Sequence, residues 1–109
     1  MSEKIIVKID EDLEEIIPMF LENRAKDLEQ LKKALEEENF KAIEVIGHKL
    51  AGNAGSYGLH DLGEIGVALE KSCLEQEKSK VQAIVENYKD YLNRLEIIFE
   101  WTLKLKKTY

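Results

Sequence analysis

Apolar residues recur at helical spacing along most of the chain and divide it into a few amphipathic segments. From Met19 to about Glu37 the stripe is Phe20, Leu21, Leu28, Leu31 and Leu35, with Arg24 falling inside it. A cation in an apolar stripe either reaches the rim on its long stem or lies near a partner surface. Pro18 either opens this helix or kinks a longer one. Asp10 to Ile17 read as a short first helix, led by acids at the positive end of its dipole. Asn39 suits the N-cap of the next helix, whose one face carries Ile43, Ile46, Gly47, Leu50, Ala54 and Tyr57. Gly58 is placed to end that helix in a left-handed cap. A further stripe runs through Leu62, Ile65, Gly66, Leu69 and Cys73. Ser79 and Gln82 match a capping box that starts the last helix near Lys80. Its stripe is Val81, Ile84, Val85, Tyr88, Leu92, Leu95, Ile98 and Phe99, and the helix is expected to continue past Trp101. No segment reads as the strict alternation of a half-buried strand. The expected fold is all-α: an antiparallel four-helix bundle with a short additional N-terminal helix.

A chain of 109 residues favours one core, so residues 1–109 read as a single domain. The bundle begins at Met1, which favours a free-standing protein over a domain excised from a larger kinase. The formal net charge of −6, with acids and bases interspersed, argues against nucleic acid, because backbone binding needs a clustered basic face. The basic end, Lys104, Lys106 and Lys107, reads as a solvated helix terminus, and so does Glu36-Glu37-Glu38. Cys73 is the only cysteine, so no internal disulfide forms, and its place on an apolar stripe marks it as core. Apolar runs such as Ile97-Ile98-Phe99 fall far short of the ~18 residues of a membrane span. There is no apolar leader segment. A cytoplasmic monomer is the default expectation, with no metal and no cofactor. Di-iron bundles use Glu-x-x-His pairs, whereas Val45 and Tyr57 stand three residues before His48 and His60. His60 reads as a surface residue, and Tyr57, Tyr88, Tyr91 and Trp101 as packing residues.

All six glycines lie between Gly47 and Gly66, so the special backbone surrounds His48. At roughly 100° per residue the core stripe centres on Ile43, Ile46, Leu50 and Ala54, which turns His48 outward. Ala51 and Gly52 lie one turn on, Gly55 one turn further and Glu44 one turn back. Each glycine inside a helix costs about 1 kcal/mol relative to alanine. Gly47 faces the core side and lets two helices approach. Gly52 and Gly55 face outward, and a bare patch there lets a second protein bring a reactive group to the imidazole. A neutral imidazole is a nucleophile near pH 7 and forms covalent intermediates. His48 alone reads as an ordinary surface histidine, and periodicity with the small neighbours brings the two readings level.

The stretch His48-Lys49-Leu50-Ala51-Gly52, continued by Asn53-Ala54-Gly55-Ser56-Tyr57-Gly58, resembles the H-x-L-K-G motif of histidine phosphotransfer (HPt) domains. Ile17 to Arg24, Ala34-Leu35 and Asn39-Phe40 resemble other parts of the family, and the likeness spans roughly residues 7 to 95. The resemblance implies a phosphoryl carrier without its own kinase or ATP site. It would be phosphorylated on His48 and exchange with the aspartate of response-regulator receiver domains, which supply the Mg²⁺. A histidine or hybrid kinase is the further partner implied. Gly52 matches the glycine that leaves room beside the imidazole, and Glu44, Lys49, Ala51 and Gly55 are the other docking or near-site positions. Ala51 stands where the family has lysine. The alternative is therefore a receiver-docking module that binds without efficient transfer. Lys49 is an incomplete substitute, being roughly 100° round the helix, and Arg24 is a candidate to supply charge from the neighbouring helix.

Overall fold

A computed structural model describes residues 3–100. The element order is β1 (Ile5–Asp10), α1 (Ile17–Glu36), α2 (Phe40–Asn53), α3 (His60–Leu74), α4 (Lys78–Arg94) and β2 (Leu95–Glu100). Short 3-10 turns at Glu11–Leu13 and Ala54–Tyr57 follow β1 and α2. Pro18 sits in the first turn of α1, where its missing N–H has no helical partner to lose. The Asn39 side chain accepts from the Ala42 N–H at 3.1 Å and caps α2. Gly58, at φ 81°, supplies the left-handed residue after the 3-10 turn. The Ser79–Gln82 capping box is not used: α4 begins at Lys78 behind Glu77, with no side-chain cap.

Two expectations fail at the ends of the chain. The short N-terminal helix is replaced by β1 and a single 3-10 turn, and the last helix stops at Arg94. Leu95 adopts an extended conformation, and β2 runs parallel to β1 from Ile5↔Leu95 to Asp10↔Glu100. The stretch beginning at Trp101 lies outside the described residues. Alternation was present in β1. Ile5, Val7 and Ile9 turn toward the core while Ile6 and Lys8 face out. In β2, Leu95, Ile97 and Phe99 pack on the core and Ile98 is exposed. Six residues satisfy both a helical and a strand period too easily for either pattern to decide. The partner strand about ninety residues away decides it.

The four helices run up and down. Across the α2–α3 contact, Gly47 meets Leu69, Ala51 meets Gly66 and Gly55 lies beside Gly63, which makes these helices antiparallel. A Cβ at Gly66 would sit 2.6 Å from the Ala51 nitrogen and 2.7 Å from the Gly47 carbonyl oxygen. A Cβ at Gly47 would meet the Gly66 oxygen and Leu69 Cβ at 2.9 Å. The two glycines therefore let the backbones of α2 and α3 touch. Leu31, Ile43, Leu50, Leu62, Leu69 and Tyr88 are fully enclosed in the core between the helices.

Arg24 neither reaches the rim nor serves the His48 region. It is buried, ion-paired to Asp27 at 3.0 Å and donates to Asn53 Oδ1 at 3.2 Å. Its guanidinium lies 4.7 Å from the centroid of the Phe20 ring. Phe20 in turn packs on Tyr57, with ring centroids 4.4 Å apart. The Tyr88 hydroxyl donates to the Arg24 carbonyl at 2.7 Å. Removing one partner of a buried pair strands the other charge. Asp27→Ala is thus expected to lower the unfolding free energy by about 3–5 kcal/mol. A urea titration checks this, and a loss below about 1 kcal/mol would mean that the pair is well solvated.

Candidate functional site

α2 carries Ile43, Ile46 and Leu50 into the core and leaves His48 on the outside, with its side chain 77 % exposed. The ring is nevertheless held. Its Nδ1 lies 2.8 Å from Glu70 Oε2 on α3, so the imidazole donates this hydrogen bond to the carboxylate. That assigns the proton to Nδ1 and leaves the Nε2 lone pair free. The close crossing at Gly47 and Gly66 brings α3 near enough for Glu70 to reach across.

Beside the ring, Gly52 is open: a Cβ built there meets nothing within 4 Å. Gly55 differs. It belongs to the 3-10 turn, and a Cβ on it would lie 3.7 Å from Nδ1 of His60, the exposed first residue of α3. The open patch therefore centres on Gly52 and does not extend freely to Gly55. Ala51 is half-buried at the α3 crossing, its nitrogen against Gly66. Lys49 is exposed next to His48. Glu44 is half-buried and pairs with Lys41 at 3.8 Å. Lys41, Glu44, Val45, His48 and Glu70 line a shallow groove of about 300 Å³.

Glu70 is the residue that sequence reasoning missed. It lies 22 positions from His48 on another helix, and only the packing of α2 on α3 pairs them. Large apolar side chains surround this face. Val45, Val67 and Leu74 are all more than half exposed, and Val67 and Leu74 lie one turn either side of Glu70. Cys73, three residues after Glu70 on α3, is buried in the core, with its thiol pushed up to about 11 by desolvation and then by the Glu44 charge. A thiol so placed is no nucleophile at neutral pH. Among the described residues, no group of three or more His, Cys, Asp or Glu is placed to hold a metal ion. No described helix is long and apolar enough to cross a membrane.

Fold and site together define a helical bundle that presents one oriented, accessible imidazole on a rigid helix, next to a cleared patch. Comparison with family models matches residues 15–97 to the Hpt domain, and the chain belongs to that family. Hpt domains are the phosphocarriers of histidine phosphotransfer in two-component phosphorelays. Comparison with curated proteins and with solved structures returned no significant match.

Proposed function

We propose that His48 carries a phosphoryl group to and from the aspartate of response-regulator receiver domains. The observation that carries this reading is the exposed His48 ring, held by Glu70 at Nδ1 with Gly52 open beside it. In the transfer step the Nε2 lone pair attacks the phosphorus of the receiver's aspartyl phosphate. The P–Nε2 bond forms, the P–O bond to the aspartate breaks, and the carboxylate leaves with its electron pair. The ring becomes positively charged while its Nδ1 proton stays in place, facing the Glu70 carboxylate. Glu70 thus sets the tautomer before attack and faces the charge that develops during it. The reverse sequence returns the phosphoryl group. The Mg²⁺ that screens the phosphoryl oxygens belongs to the receiver, and a histidine or hybrid kinase feeds the relay. The domain works as a monomer in the cytoplasm and has no kinase activity of its own.

The test is transfer of label from a panel of phosphorylated receiver domains to the whole chain. Acid-labile, base-stable label on the protein supports the reading, and no label from any receiver defeats it. Glu70→Gln keeps a polar group near Nδ1 without the charge. It is expected to slow transfer about tenfold, because a carboxylate facing a developing cation is largely screened at an exposed site. Unfolding should be unaffected. An unchanged transfer rate would show that Glu70 only decorates the ring.

Gly52→Leu is expected to block receiver docking and transfer while the protein stays folded, because the added side chain projects into open space beside His48. Circular dichroism checks the fold, and undiminished transfer in the folded variant would place docking elsewhere. A second reading rests on Ala51, which brings no positive charge beside the imidazole. It makes the chain a receiver-docking module without efficient transfer. Tight receiver binding with no labelling would favour it, and rapid labelling would remove it.

A further inference from the structure

We propose that the groove between α3 and α4, flanked by Ile5 of β1, is a binding site for a primary alkylammonium cation. The groove encloses about 360 Å³, at the small end of the range for small-molecule sites. Asp61 and Glu64 lie one helical turn apart on its α3 wall, and neither has an ion-pair partner among the described residues. Arg94, which also lines the groove, is already held by Asp90 at 2.9 Å and by the Glu3 carbonyl at 2.6 Å.

Tyr91 is the independent observation. It lines the same groove and is only 4 % exposed, yet its hydroxyl has no hydrogen-bond partner among the described residues. Buried hydroxyls are almost always paired, so an unpaired one needs a reason. Burial, and then the Asp61 charge, push this hydroxyl up to about 12. Tyr91 shares the groove with both carboxylates, Asp61 and Glu64. Ile65, Ala68 and Ile84 supply an apolar wall beside it.

These groups match one chemistry. An alkyl chain lies along the apolar wall, and its ammonium offers three N–H donors to Asp61, Glu64 and the Tyr91 oxygen. An anionic ligand would meet two unpaired carboxylates. The apolar wall of Ile65, Ala68 and Ile84 suits a cation with an alkyl body better than a bare metal ion. The site is separate from His48. At 100° per residue, Asp61, Glu64, Ile65 and Ala68 share the α4 side of α3, and Glu70 points to α2.

The experiment is an amide and side-chain NMR titration of the whole chain. The probes are 1,4-diaminobutane, a blocked lysine tripeptide and, as neutral control, 1-butanol. Saturable shifts confined to residues around Asp61, Ala68, Ile84 and Tyr91 are expected with an amine. Saturation by the diamine identifies a free small cation. Saturation by the peptide alone identifies a protein lysine, and either outcome supports the site. Asp61→Asn should weaken binding about tenfold, the order expected for losing one charge-assisted hydrogen bond. Tyr91→Phe, which keeps the ring and the packing, should weaken it a few-fold. Equal shifts with 1-butanol, no saturable shift with either amine, or undiminished binding by Asp61→Asn would overturn the proposal. None of these readouts depends on phosphotransfer.

Discussion

The His48→Gln protein is expected to acquire no label from a phosphorylated receiver domain that labels the wild type. Glutamine approximates the size and polarity of histidine, but its amide nitrogen has no available lone pair and cannot attack phosphorus. The loss should therefore be complete. Stability should stay within about 0.5 kcal/mol of wild type, the usual range for surface substitutions away from special features, because the side chain is 77 % exposed. One contact does change: Glu70 loses a ring N–H at 2.8 Å and gains a flexible amide. Receiver binding should persist, since the open surface at Gly52 is untouched. The variant thus separates docking from chemistry. Equal label on both proteins would place the phosphoryl group on another side chain, and loss of the fold would remove the comparison's meaning. A urea titration run beside the labelling assay distinguishes the two.

Gly66→Ala should be the most damaging single-methyl addition in the α2–α3 contact. The new Cβ would lie 2.6 Å from the Ala51 nitrogen and 2.7 Å from the Gly47 oxygen, both backbone atoms that no side-chain rotation can move. The helices must separate. Overpacking of this kind costs about 1–3 kcal/mol and at times more, against a gain of about 1 kcal/mol from alanine's helix propensity. Contact with rigid backbone on two sides puts the overpacking cost at the upper end, for a net loss of about 2 kcal/mol. A domain of this size would melt roughly 10 °C lower. Gly52→Ala tests the sign. Nothing lies within 4 Å of its added Cβ, so that variant should gain up to about 1 kcal/mol. If both substitutions stabilised, the close crossing would not hold in solution. Gly66→Ala should also slow phosphotransfer, because separating α2 from α3 pulls Glu70 away from His48.

These two glycines show how much of the site was legible beforehand. Both Gly47 and Gly66 fall on apolar stripes, but only Gly47 reads from the sequence as a point of helix approach, and the contact of Gly66 with Ala51 and Gly47 came from the packing. Gly52 lies off the stripe, which marked it as a surface glycine. Gly55 looked equivalent to Gly52, yet His60 sits next to it. The chain reverses at Gly58 and returns α3 alongside the 3-10 turn, which no periodicity within α2 can show. Arg24 was conspicuous as a charge among leucines. Its partner Asp27 stood three residues away, but whether the pair faced water or the core depended on how Asn53, Phe20 and Tyr88 closed around it.

Local pattern was enough to establish four amphipathic helices, the Asn39 cap, the left-handed Gly58 and the outward direction of His48. Each of these depends on residues within a turn or two of one another, where helical geometry leaves few choices. Tertiary structure alone decided that both chain ends pair as parallel strands, that Arg24 is buried with Asp27, and that Glu70 holds the His48 ring. Those outcomes depend on contacts between segments from different elements or opposite ends of the chain, as the burial of the Arg24–Asp27 pair depends on Asn53 and Tyr88. Their energies come from who else is packed there, and a short run of sequence carries no record of its distant neighbours.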